Sequence, residues 1–202
     1  MWAVNNKPVD RRTTKTKRAL SNALAELLSE KELRKITVQE IVDKADVSRV
    51  TFYKYYLDVY DLCEKIEEVV LTELGLIVLQ LEDNSTELFF EQLVGYISEN
   101  RVTFSMIFNP NTTSKLRDKL SKLIEGMLRN VYSEKLGIKP NNKELAYICC
   151  YHAQGCLAIL QKWVQDGFTE PDDYIIKLMP AIDEQIEDYF SNKNSKAKRS
   201  RA

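Results

Sequence analysis

The sequence predicts an all-α protein. Only six glycines and five prolines interrupt 202 residues, so the stretches free of helix breakers are long. Apolar residues recur at helical spacing, as in Leu20, Ala23, Leu24, Leu27 and Leu28. Thr37 precedes an apolar-periodic run with Glu40 three residues on, the capping-box signature of a helix start. A chain of this length can bury a sizeable core in one or two small domains. Its 44 % hydrophobic and 29 % charged residues are ordinary for a globular protein.

Taken in order, residues 1–12 are expected to be loosely ordered, and Arg11, Arg12, Lys15, Lys17 and Arg18 lead as a basic arm into the first helix. Ile36 and Val38 close the small core that this helix begins. The helix capped by Thr37 buries Ile41, Val42 and Ala45. Asp46 stands where the chain must turn, and Ser48 can cap the next helix. Val47 and Phe52 are expected to point inward, leaving Ser48, Arg49, Thr51, Tyr53, Lys54 and Tyr55 for the outer face. A connecting helix from about 58 to 81 carries Leu62, Ile66, Val69, Val70, Leu74, Ile77, Val78 and Leu81 as its apolar face. Further helices are expected near 85–100, 101–108, 112–136, 141–167 and 171–191, broken at Asn109-Pro110-Asn111 and Gly137-Ile138-Lys139-Pro140. Gly167 ends one helix and Pro171 falls in the first turn of the last. The basic tail, 193–202, is expected to be disordered.

Residues 37–56 are the most informative segment. Two short helices joined by a tight turn, the second bearing small polar, basic and aromatic side chains, are how a helix-turn-helix reads double-stranded DNA. Arg49 suits a bidentate contact to guanine, and the Thr51 methyl suits thymine. Tyr53, Tyr55, Lys54, Ser48 and Thr37 suit phosphate oxygens, which set register without reading sequence. The arm, through Arg11, Arg12 and Lys15, can touch phosphate or reach a minor groove, and for Arg11 and Arg12 a solvated terminus is the alternative. Residues 1–60 hold twelve Lys/Arg against eight Asp/Glu, so the head carries +4 while the whole chain carries −1. A basic head on an acidic body fits a DNA-binding module joined to a part that stays off DNA.

Residues 13–62 resemble the DNA-binding domain of TetR/AcrR transcriptional regulators. The likeness lies in the first helix TKRALSNALAELLSEK, the ITVQEIVDKA helix, the VSRVTFYKYY recognition helix and the DVYDLCEKIEEVV start of a connecting helix. FSMIFNPNTTSKLRDKLSKLIEGML, CYHAQGCLAILQKWVQDGF and PDDYIIKLM resemble the C-terminal domain of regulators from Gram-positive bacteria, including those near dihydroxyacetone kinase genes. The resemblance implies an N-terminal three-helix helix-turn-helix domain and a C-terminal helical domain for dimerisation and effector binding. The expected boundaries are 1–58 for arm and head, 59–192 for the body and 193–202 for the tail. It also implies DNA contacts from Thr37, Arg49, Thr51, Tyr53, Lys54 and Tyr55, and repression as the usual outcome. Two positions depart from the family pattern: Asp46 replaces a turn glycine, and Val59 replaces a lysine that reaches phosphate.

A family dimer is formed by the last two helices. Here that places Ile148, His152, Gly155, Ile159 and Trp163 on one helix and Ile175, Leu178, Ile182 and Ile186 on the other, with intramolecular core as the alternative. Tyr96, Phe104, Phe108, Tyr147 and Tyr151 are candidates for a pocket holding a small-molecule effector, or are plain core. A protein effector is the other option. Cys149, His152 and Cys156 share one helix face and offer thiolate and imidazole ligands, but no fourth ligand at structural-zinc spacing. A redox- or metal-sensing regulator, or a partner-binding module with weakened DNA binding, are therefore the alternative functions, and no metal or cofactor is expected. No nucleophile elbow, phosphate-binding Gly loop or His-Glu-x-x-His motif is present, so an enzyme is not expected. With no visible secretory signal and no run long enough to span a bilayer, the expected place is the bacterial cytoplasm, away from membranes and with reduced thiols.

Overall fold

The computed structural model describes residues 11–79, 86–113 and 115–182. Helix α1 spans Arg11–Glu30, α2 Val38–Ala45, α3 Arg49–Tyr53 and α4 Val59–Leu79. In the body, α5 spans Thr86–Glu99, α6 Arg101–Ile107, α7 Lys115–Leu136 and α8 Lys143–Gln165. A last helix, α9, begins at residue 172 and is described through 182. The expected breaks fall between α6 and α7 and between α7 and α8. Residues 1–10, Leu81, Ile186 and the tail 193–202 lie outside the described residues.

The head forms because α1 has one continuous buried stripe. Leu20, Ala23, Leu24, Leu27 and Leu28 are all buried against Leu33, Ile36, Ile41, Val42 and Phe52. Helix α4 belongs to both parts. Its first turns close the head with Val59, Leu62 and Cys63, and its later turns place Val70 and Leu74 in the body. Val69, expected inside, is instead 60 % exposed. It lines a groove between α1, α4 and the α5–α6 junction.

The body core is built from Phe89, Phe90, Val94 and Ile97 of α5, Phe104, Met106 and Ile107 of α6, Leu116 and Leu120 of α7, and Leu157 and Leu160 of α8. A smaller cluster of Leu128, Tyr132, Leu145, Cys149 and Ala153 joins α7 to α8 further along. Gly167 at φ 72° and Phe168 at φ 59° turn the chain back after α8. Phe168 packs edge-on against Trp163, with ring centroids 4.9 Å apart. The Trp163 indole N–H donates to the Glu170 carbonyl at 2.8 Å. No helix among the described residues is long and apolar enough to cross a membrane.

Candidate nucleic-acid interface

The helix-turn-helix is assembled from local signals. The Thr37 hydroxyl accepts from the Glu40 backbone N–H at 3.3 Å, and the Glu40 carboxylate accepts from the Thr37 N–H at 3.0 Å, a complete capping box. Lys31 also ion-pairs with Glu40. That pairing, with the two Thr37 hydrogen bonds, holds the Glu40 carboxyl down at about 2. Asp46 ends α2 in the left-handed region, φ 54° and ψ 48°, the conformation that usually selects glycine and that Asp tolerates better than most residues. The Ser48 hydroxyl then accepts from the Thr51 N–H at 3.1 Å and caps α3.

Phe52 anchors α3 with no exposed surface, and Val47 is half-buried beside it. Ser48, Arg49, Tyr53 and Lys54 lie on the exposed face as expected. Two other side chains also carry cap bonds, and one expected placement changes. Thr51 is half-buried, and its hydroxyl lies 2.9 Å from that of Ser48, so it is engaged in the cap. The Thr37 hydroxyl likewise makes its capping-box bonds, and the residue is exposed. Tyr55 does not stand on the outer face. It is half-buried between α3 and α1, where its hydroxyl lies 3.3 Å from the Thr13 hydroxyl. Lys17 and Lys54 flank its ring at 5.8 Å and 5.7 Å. An aromatic ring with one polar tip serves either side of a short helix, and the contact from α1 decides it.

The basic residues sort into two sets. Lys31, Arg34, Lys35 and Lys44 are neutralised within the head by Glu40, Glu32, Glu26 and Glu30. Arg11, Lys15, Lys17, Arg18, Arg49 and Lys54 make no ion pair among the described residues and cluster around the start of α1 and around α3. Arg12 is also exposed in this region. A set of uncompensated cations around one short helix is the electrostatic footprint of a polyanion site. Val59, where the resemblance implies a lysine reaching phosphate, is 5 % exposed and packs into the head core.

Two hydrogen bonds tie the body to the head. The Asn111 side-chain amide donates to the Leu28 carbonyl at 2.9 Å, and the Leu33 N–H donates to the Asn111 carbonyl at 3.0 Å. Asn111 therefore grips the end of α1 and the turn that follows it. The same segment is linked to α8, because Gln165 donates to the Phe108 carbonyl at 3.1 Å. Sequence reasoning read Asn109-Pro110-Asn111 only as a break. Its bond partners lie about eighty positions away and leave no local signal.

The body candidates divide. Phe104 and Phe108 line an apolar interior cavity of about 30 Å³ with Leu74, Phe89, Leu120 and Leu160. Tyr96 packs edge-on against Phe104 at 5.7 Å and also lines the separate groove beside Val69. Tyr147 and Tyr151 are 79 % and 76 % exposed on α8, so they do not line the interior.

Among the expected dimer residues, His152, Trp163 and Ile175 are each 3 % exposed and form intramolecular core. The Tyr132 hydroxyl lies 3.1 Å from His152 Nδ1 across the α7–α8 contact. An apolar helix face does not declare whether its own chain or a second copy covers it, and here α7 and the turn after α8 cover these residues first. Ile148, Ile159 and Leu178 are half-buried, and Ile182 is exposed. Gly155 opens onto a groove between α8 and α9 lined by Tyr151, Ala158, Ile159, Met179 and Ile182, and a Cβ there would meet no described residue within 4 Å outside its own helix backbone.

Cys149 and Cys156 are buried and not disulfide-bonded. Burial pushes the Cys149 thiol up to about 11, away from the thiolate character a redox sensor needs.

A helix-turn-helix head joined through one long helix to a helical body is the build of a transcriptional regulator. The TetR_C_8 family model, described as a transcriptional regulator C-terminal region, matches residues 84–193, more than half of the chain. The chain belongs to the TetR family of transcriptional regulators. It is 29 % identical over 97 residues to YxbF of Bacillus subtilis (strain 168), an uncharacterized HTH-type transcriptional regulator. That match spans 45 % of this chain and only about a quarter, 26 %, of the relative's length.

Solved structures share the fold. The dihydroxyacetone kinase operon activator DhaS is 23 % identical with a TM-score of 0.52, covering 82 % of this chain and 94 % of that one. A TetR transcriptional regulator from Streptococcus agalactiae 2603V is 20 % identical with a TM-score of 0.52, covering 86 % and 96 %. PfmR from Thermus thermophilus, a TetR-family regulator, is 15 % identical with a TM-score of 0.56, covering 81 % and 96 %.

Proposed function

We propose that this regulator binds duplex DNA as a homodimer, places α3 of each copy in the major groove of a palindromic operator and represses the adjacent genes. The observation that carries this reading is the ring of uncompensated cations, Arg11, Lys15, Lys17, Arg18, Arg49 and Lys54, around an exposed, doubly capped helix-turn-helix. In functional terms 1–58 is the DNA-binding head and 59–192 the dimerisation and effector body, in a cytoplasmic protein. The dimer face is the uncovered side of α8 and α9, with Tyr147, Tyr151, Gly155, Ala158, Ile159 and Ile182. One copy presents a single short helix, and a two-fold pair reaches half-sites about 34–36 Å apart or a multiple of that.

The effector, in this reading, is an uncharged apolar molecule entering beside Phe104 and Phe108, since the walls there are hydrocarbon and aromatic. The cavity is only about 30 Å³, far smaller than a ligand pocket, so entry requires the helices around it, α6 among them, to shift. Phe108 leads directly into Asn109–Asn111, and a shift of α6 therefore pulls on Leu28 and Leu33 in the head. The effector moves the equilibrium only by its differential affinity for the two arrangements.

Sedimentation of the protein with duplex from upstream of its own gene tests the assembly. Two chains per duplex, with a dimer persisting without DNA, is the expected result. One chain per duplex contradicts the palindromic reading.

A further inference from the structure

Helix α3 spans only Arg49–Tyr53, so few side chains can meet base edges. Phe52 is buried, and the Thr51 hydroxyl is turned to Ser48. Arg49, Tyr53 and Lys54 are polar or basic and answer the acceptors of bases and phosphates. Val50 has no such role. It is 83 % exposed, the most exposed of the large hydrophobic side chains described, and it stands beside Arg49 at the start of the helix.

Neither folding nor helix formation accounts for a valine there. Its side chain adds nothing to the core, and a β-branched residue is a weak helix former. An isopropyl group next to the leading residue of a recognition helix has one apolar counterpart on the major-groove edges of the four bases, the C5-methyl of thymine.

We infer that Val50 is a specificity-determining residue that reads a thymine methyl in each half-site. This rests on the DNA-reading function proposed above. It places the thymine contact on Val50, which is exposed, rather than on its half-buried neighbour Thr51.

The test begins with selection of bound duplexes from a randomised pool by the full chain, followed by substitution of each thymine in the enriched duplex by deoxyuridine. That change removes one methyl and leaves base pairing intact. The expected result is one thymine per half-site at which methyl removal weakens binding about fourfold, the transfer value of one buried methyl group. In Val50→Ala the same substitution is expected to change binding less than twofold, while binding to the deoxyuridine duplex stays near wild-type. Because Val50 is so exposed, the variant's circular-dichroism melt is expected to match wild-type. An enriched sequence with no methyl-sensitive thymine, or a methyl penalty that persists in Val50→Ala, overturns the role of Val50. No enriched sequence at all overturns the DNA-reading function itself.

Discussion

Asn111→Ala isolates the link between body and head. The side-chain amide of Asn111 donates 2.9 Å to the Leu28 carbonyl at the last turn of α1, and Leu28 itself has no exposed surface. Removing the amide deletes one hydrogen bond and leaves a carbonyl that water reaches poorly. A hydrogen bond contributes about 0.5–1.5 kcal/mol net, and an orphaned buried acceptor costs about 1–3 kcal/mol. The backbone bond from Leu33 to Asn111 survives, so the expected destabilisation is about 1–2 kcal/mol. With a urea m-value of roughly 2 kcal/mol/M, that lowers the midpoint by about 0.5–1 M. Asn111→Asp tests the chemistry, because its carboxylate cannot donate and faces the carbonyl with like partial charge. It is expected to cost more than Ala. Urea unfolding followed by far-ultraviolet circular dichroism reads both. A midpoint for Asn111→Ala within about 0.2 M of wild-type, or an Asp variant more stable than the Ala variant, would falsify the latch.

Three other outcomes follow from the same geometry. Lys17→Ala and Lys54→Ala are expected each to weaken binding to all duplexes alike and to reduce the salt slope by about 0.9 per lost phosphate contact; an unchanged slope sinks their role. Glu40 is held near 2 by its partners, so it contributes head stability that is full above the usual carboxyl range and is lost as pH falls toward 2. Glu40→Gln is expected to flatten that acid limb of a thermal-melt profile, and an identical profile refutes the assignment. Tyr151→Glu places a charge on the uncovered face of α8 and is expected to shift the sedimentation profile toward monomer without lowering the melting temperature of the single chain; an unaltered dimer places the interface elsewhere.

The head was largely legible because its signals are local. A Thr–Glu pair three residues apart, an Asp at the turn and a Ser before α3 each act within one helical turn, and the structure realises all three. What local pattern could not supply was the choice between neighbours. Tyr55 has the same chemistry as Tyr53, but only Tyr55 meets Thr13 of α1. His152 and Trp163 lie on an apolar face as expected, yet that face is satisfied by Tyr132 and by the Gly167–Glu170 turn before any second copy arrives. Val69 matches the helical period of α4 but faces an open groove and stays largely exposed. Val50 went unassigned because a valine within a helix ordinarily reads as packing, and only its exposure shows otherwise. Asn111 is the clearest loss, since its work depends on Leu28 being brought to it by tertiary folding.

The central claim is that the basic head reads a particular duplex. A fluorescence-anisotropy titration against duplex from upstream of the gene, with a random duplex as control, at about 50 mM and 200 mM salt, tests it most directly. The account predicts tight binding that prefers the upstream duplex and falls by orders of magnitude at the higher salt. Equal affinity for both duplexes at both salt concentrations would contradict it and point to a head that binds a partner other than DNA.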